Sequence, residues 1–189
     1  SGLESIEVSD KNPYYKSENG LILSKDGKAV VYCPPIVRNA DVPEGVESIG
    51  SFYESAKPFM YCEILESVRL PSTLKRIGDS AFQYCYALKE IVGELNLLVA
   101  RATTSMFEGC SNLEMVSFAR KSINMDISLL SCQSLSRESV ISLLNGLVEN
   151  GERTLNLSKY AFDNSFPDKK EQEEKIAELQ QKGWKLVLG

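Results

Sequence analysis

One seven-residue pattern returns along this chain and leaves few folds open to it. Phe59-Met60-Tyr61-Cys62-Glu63-Ile64-Leu65, Phe82-Gln83-Tyr84-Cys85-Tyr86-Ala87-Leu88 and Phe107-Glu108-Gly109-Cys110-Ser111-Asn112-Leu113 all read F-x-x-C-x-x-L. Each is followed, three residues on, by Val68, Ile91 or Val116. Leu70 and Phe118 supply a further apolar residue two positions later, where the middle copy has Gly93. A looser copy runs from Leu129 through Cys132 to Leu135, so successive cysteines stand 23, 25 and 22 residues apart. A fixed period of this length is the mark of a stack in which each unit buries its apolar face only against its neighbours.

Period-two alternation predicts a short strand after each leucine, with alternate side chains facing opposite ways. Leu65, Val68 and Leu70, then Leu88 and Ile91, then Leu113, Val116 and Phe118 are the expected core. The interleaved residues, Ser67 and Arg69, Glu90 and Val92, Met115 and Ser117, are the expected exposed row, with Ser5 and Glu7 extending it. Ala81-Phe82 and Met106-Phe107 belong to the opposite side, where recurring phenylalanines pack a spine.

A period of about 20–29 residues with this leucine spacing defines a leucine-rich repeat. The unit from Pro71 to Ile91 resembles the repeat of the BspA-like leucine-rich repeat family, and Val42 to Gly50 is similar to the start of another copy. The resemblance implies a right-handed α/β leucine-rich repeat solenoid with a parallel sheet on its concave face. It also implies a secreted or cell-surface bacterial protein engaged in adhesion, with host matrix or cell-surface proteins, or glycans, as partners. A structural end-piece of a larger envelope protein, or an internal scaffold, is the alternative.

Around the repeats, residues 1–41 are expected to hold a partial repeat and a β-hairpin insert, 42–135 the repeats, and 136–189 a closing α/β cap. Asn19-Gly20 and Asp26-Gly27 are hairpin turn signals between the apolar runs Leu21-Ile22-Leu23 and Ala29-Val30-Val31-Tyr32, with Tyr14-Tyr15 before the first turn. Leu3, Ile6 and Val8 read as the tail of a repeat, so any export signal is expected upstream of Ser1. In the tail, Ser136 is placed to cap a helix whose apolar face is Val140, Ile141, Leu143, Leu144, Leu147 and Val148, ending at Asn150-Gly151. Thr154 to Leu157 reads as a strand. A helix over 168–182 follows, with Ile176 and Leu179 inward and a Glu171–Lys175 pair outward. Gly183 stops it before the strand Trp184 to Leu188.

Five cysteines are an odd number for disulfide pairing. Four hold one slot of the repeat, which favours a ladder of buried, reduced thiols over disulfides; Cys33 lies outside that slot and is read as structural too. With no histidine in 189 residues, the usual base for a serine or cysteine nucleophile and a common metal ligand are both missing. No cofactor, metal site or catalytic residue is expected. An enzyme would require distant carboxylates brought together in a pocket. The formal net charge of −5, with its signs interspersed, offers no basic stripe for nucleic acid, and no apolar run approaches a membrane span.

Overall fold

A computed structural model describes residues 5–50, 57–98, 103–149 and 152–189. In chain order it begins with β1 (Tyr15–Glu18), β2 (Leu21–Ser24), β3 (Ala29–Tyr32), β4 (Asn39–Asp41), β5 (Ser48–Ile49), β6 (Ser67–Arg69), β7 (Arg76–Ile77), β8 (Glu90–Leu95), β9 (Met115–Phe118) and β10 (Ile127–Leu129). It continues with α1 (Arg137–Gly146), β11 (Arg153–Leu157), α2 (Lys159–Ser165), α3 (Lys169–Gln181) and β12 (Trp184–Leu188). The strands make a mixed α/β architecture dominated by parallel pairing. β4, β6, β8 and β9 form a four-stranded parallel sheet. β10, β11 and β12 form a second parallel sheet. The third joins the antiparallel β1-β2-β3 to the parallel β5 and β7.

Parallel neighbours are one repeat apart in sequence, as with Asn39 opposite Ser67 and Ser48 opposite Arg76. From β4 to β8 the chain therefore alternates between two sheets, β4, β6 and β8 in one and β5 and β7 in the other. One buried cluster lies between them, running from Leu21 to Trp184. Leu65, Val68, Leu70, Leu88, Ile91, Leu113, Val116 and Phe118 are all buried in it. Phe59, Phe82 and Phe107 stack with ring centroids 5.7 and 6.1 Å apart, and Phe118 closes that row edge-on at 6.2 Å. Such pairs add about 0.5–1.5 kcal/mol beyond their buried area.

The cysteines follow the same step. Cys85 Sγ donates to Phe59 O at 3.0 Å and Cys110 Sγ to Phe82 O at 3.0 Å; Cys132 Sγ reaches Phe107 O at 3.7 Å. Every ladder thiol thus closes onto the preceding turn. Cys33 is buried and stands outside the cysteine slot, as its sequence setting implied. Cys62 Sγ lies 3.7 Å from Cys33 O, so Cys33 offers the carbonyl that Phe59 and Phe82 offer in later turns, while its own Sγ lies 3.6 Å from Pro34 O. All five thiols are free and buried. Its hydrogen bond with Cys62, then burial, pushes the Cys33 thiol pKa up. Burial does the same to Cys85 and Cys110, and takes Cys132 to about 12.

The hairpin insert forms as read. Asn19 and Gly20 have φ of 51° and 76°, the pair of positive values that a two-residue turn between twisted strands requires. Four features of the tail differ. Ile141, expected on the apolar face of α1, is exposed. Helix α1 stops at Gly146, because Leu147 turns extended and bridges to Ile123; a Cβ on Gly146 would stand 3.0 Å from Ile123 Cδ1 and 3.1 Å from Phe118 Cβ. Asn150-Gly151, the expected stop, lies outside the described residues, as does Leu3. Glu171 pairs with Arg137 of α1 at 2.6 Å, whereas Lys175 turns to Glu178 at 3.0 Å. The tertiary partner displaces the local one because Arg137 is held against the end of α2, bonded to Ser165 O and stacked 5.1 Å above Phe166. Helix α2, unforeseen, starts at Ser158, whose hydroxyl accepts from Ala161 N.

Candidate functional site

The outward face of the four-stranded sheet carries two ordered rows. Asn39, Ser67, Glu90 and Met115 lie side by side in strand register. Ser67 Oγ donates to Asn39 Oδ1 at 2.7 Å, and Met115, 43% exposed, receives Ser136 Oγ on its Sδ at 3.3 Å. The second row begins Asp41, Arg69, Val92, with Arg69 Nε 3.7 Å from Asp41 Oδ1. At the strand entrances Glu66 bridges Arg38 at 2.8 Å and Lys89 at 3.6 Å. Charge therefore alternates along that entrance row, from Arg38 through Glu66 to Lys89.

The structure brings Ser67, Arg69, Glu90, Val92 and Met115 together as anticipated, and corrects the position of Ser117. β8 shifts register between Ile91 and Glu94, so Ser117 is opposite Glu94 and not Val92. The cause is Gly93, at φ 108°. A Cβ there would stand 3.2 Å from Leu70 Cβ and 3.3 Å from Leu70 O. The bulge carries the chain past this close approach, and Leu95 instead of residue 93 fills the core opposite Phe118. Bulges of this kind re-aim side chains. Here Glu94 gains an outward place that the repeat pattern did not announce.

Ser5 and Glu7 do not continue the row. The place beside β6 is taken by β4, and Ser5 and Glu7 line a recess of about 550 Å³ next to Asn39. That strand was signalled in the sequence: Ala40-Asp41-Val42-Pro43 repeats the phase of Val68-Arg69-Leu70-Pro71. The recess also holds Glu7, Asp10 and Glu18, of which Glu18 accepts from Lys16 Nζ at 2.7 Å. Among the described residues no three histidine, cysteine or carboxylate groups converge as a metal site, and no helix is long and apolar enough to cross a membrane.

Parallel strands recurring at one repeat, a phenylalanine spine and a cysteine ladder define a leucine-rich repeat protein. The sequence profile of the BspA type leucine-rich repeat region, in six copies, matches residues 31–165. The chain belongs to that family. The match starts before β4 and runs through α1 into α2. No curated protein matches the sequence. Two solved structures resemble it. The pneumococcal vaccine antigen PcpA aligns with a TM-score of 0.52 at 16% identity, covering 100% of this chain and 51% of that one. A leucine-rich repeat protein from Eubacterium ventriosum ATCC 27560 aligns with a TM-score of 0.49 at 22% identity, covering 86% and 46% respectively. The chain therefore spans about half the length of each solved relative.

Proposed function

We propose that this chain is a non-enzymatic recognition module, built as a right-handed leucine-rich repeat solenoid whose 136–189 segment caps one end. The strand face, on the concave side, binds a protein or glycan, with host matrix or cell-surface proteins as the partner class, at the surface of a bacterium or in its secretions. The carrying observation is the pair of in-register rows, in which Arg69 and Glu90 supply charge, Met115 and Val92 apolar contact and Ser67 small polar contact, with Ser117 beside Glu94 past the bulge. Rigid strands hold these side chains at fixed spacing, so little order remains to be gained on binding. Membership of the BspA type family supports the repeat-based binding role and the surface setting, and the fold shared with a vaccine antigen agrees with it.

Protease shaving of intact source cells, with released peptides identified by mass, tests the setting. Release of peptides from 1–189 without lysis is the expected result. Protection until lysis would leave an internal scaffold and remove host partners from consideration.

A further inference from the structure

The turns that carry the cysteine ladder expose a second surface. Tyr61 and Tyr84 occupy the position before the ladder cysteine, and their rings stack at 4.9 Å with planes 23° apart. Tyr86 follows at 6.0 Å from Tyr84. Tyr61 is 56% and Tyr86 44% exposed, so aromatic area that would stabilise a core lies in water instead. Large exposed aromatic groups of this kind mark interaction sites more often than isolated apolar residues do.

The backbone makes the row more informative. Tyr61 and Tyr84 have φ of 63° and 62°, in the left-handed region, and the next copy has Gly109 at 80°. A bulky residue there is strained by about 1 kcal/mol or more, and strain of this sort collects at functional sites. Glycine would relieve the strain at both positions. The row is also fixed in advance. Tyr84 donates its hydroxyl to Glu108 Oε1 at 3.0 Å, and Gln83 Nε2 holds the other carboxylate oxygen at 2.6 Å. That carboxylate pushes the Tyr84 phenol pKa up. Gly109 gives Tyr84 and Tyr86 room, since a Cβ there would lie 2.8 Å from Tyr84 Cδ1 and 3.3 Å from Tyr86 Cε1. Asn112 Nδ2 anchors Tyr86 O at 2.7 Å.

Charge selects the occupant. The turns 57–65, 82–88 and 105–113 carry Glu63 and Glu108 against the single ammonium of Lys57. Glu63 is tied to Tyr61 by a tight turn, its N–H donating to Tyr61 O at 2.9 Å. Exposed rings at Tyr61 and Tyr86, in a row that holds the Glu108 carboxylate and has Glu63 two residues from Tyr61, favour a planar cation, which stacks on a ring while bonding to an acid. We propose that Tyr61, Tyr84 and Tyr86, with Glu63 and Glu108, form a recognition surface for an arginine-bearing extended peptide, separate from the strand face.

The test titrates the full chain at physiological salt with a capped peptide of alternating glycine and arginine, and with its lysine counterpart. Saturable binding of the arginine peptide is expected, at least tenfold tighter than the lysine one. Tyr61→Gly, which suits the left-handed backbone and so spares the fold, weakens it at least tenfold. Tyr61→Phe retains it, and Arg69→Ala/Glu90→Ala leaves it unchanged while impairing any strand-face ligand. Equal affinity for parent and Tyr61→Gly would reduce the effect to general attraction by an acidic chain and overturn the proposal. So would equal binding of the two peptides, absence of saturable binding, or ring-dependent binding of neutral oligosaccharides alone.

Discussion

Ser139 Oγ on α1 accepts the backbone N–H of Val116 at 3.0 Å, while donating to Glu114 O at 2.9 Å. One turn further, Ser142 Oγ accepts from Phe118 N at 2.8 Å. Among the described residues β9 has no strand on its far side, and an unpaired strand edge is a site of uncontrolled association. Two serines three residues apart on a helix stand in for the missing ladder. The helix that follows the last F-x-x-C-x-x-L repeat thereby ends the four-stranded sheet with its hydrogen bonds satisfied. Ser139→Ala leaves a buried N–H without an acceptor, which costs about 1–3 kcal/mol. Urea unfolding should show a lower midpoint with an unchanged slope; an unmoved midpoint would mean the hydroxyl does not close the edge.

The bulge in β8 depends on a glycine. Gly93→Ala must hold φ near 108° and push its methyl against Leu70. A loss of roughly 1–2 kcal/mol is expected, above the ordinary effect of removing a glycine from the unfolded chain. Thermal unfolding reads it. Stability equal to the parent's would show that the register shift is set elsewhere.

Buried thiols give the chain an alkaline weakness. The Cys132 thiol, whose ordinary pKa is 9.0, is raised by burial to about 12. The sign follows directly: above about pH 9 the unfolded chain releases this proton and the folded one keeps it, so stability falls as pH rises towards 12. The loss per raised thiol approaches ~1.4 kcal/mol per pH unit. Unfolding midpoints between pH 8 and 11 should decline, and Cys132→Ala should decline less steeply. Parallel slopes would remove Cys132 from the cause. In the same ladder, Cys85→Ser places a hydroxyl where one acceptor, Phe59 O, is at hand; its unmet lone pairs cost on the order of 1–3 kcal/mol.

Arg137 joins three groups of the tail: Glu171, Ser165 O and the Phe166 ring. Arg137→Lys keeps the charge but loses the planar stack and the fork of donors. It should destabilise the chain more than Glu171→Gln, which removes one partly exposed ion pair with a typical value of 0.2–1 kcal/mol. The reverse order, by chemical denaturation, would show that the ion pair alone matters.

What the sequence made legible was everything set by a repeated slot. The phenylalanine spine, the buried strand positions and the four ladder cysteines recur in phase, so one copy explains the others. Features that arise between copies were hidden. Nothing in Glu171 distinguishes a local partner from Arg137, thirty-four residues away. Gly93 stood visibly in an apolar slot, yet only the approach of Leu70 shows why the strand must bulge and turn Glu94 outward. β4 was readable from Ala40-Asp41-Val42-Pro43, but the hairpin insert separates it from Ser5 and Glu7, which spacing alone makes the natural extension of the row. What stayed hidden about Cys33 is that its carbonyl takes the part of the phenylalanine carbonyl for Cys62.

The central proposal is that the strand face recognises a partner, and Arg69→Ala/Glu90→Ala/Met115→Ala tests it most directly. Parent and triple variant, first shown to share one thermal midpoint, are passed over immobilised matrix proteins and a glycan array by surface plasmon resonance. Binding by the parent that weakens at least tenfold in the variant is the predicted result. Equal binding by both chains, or none by the parent, would contradict it.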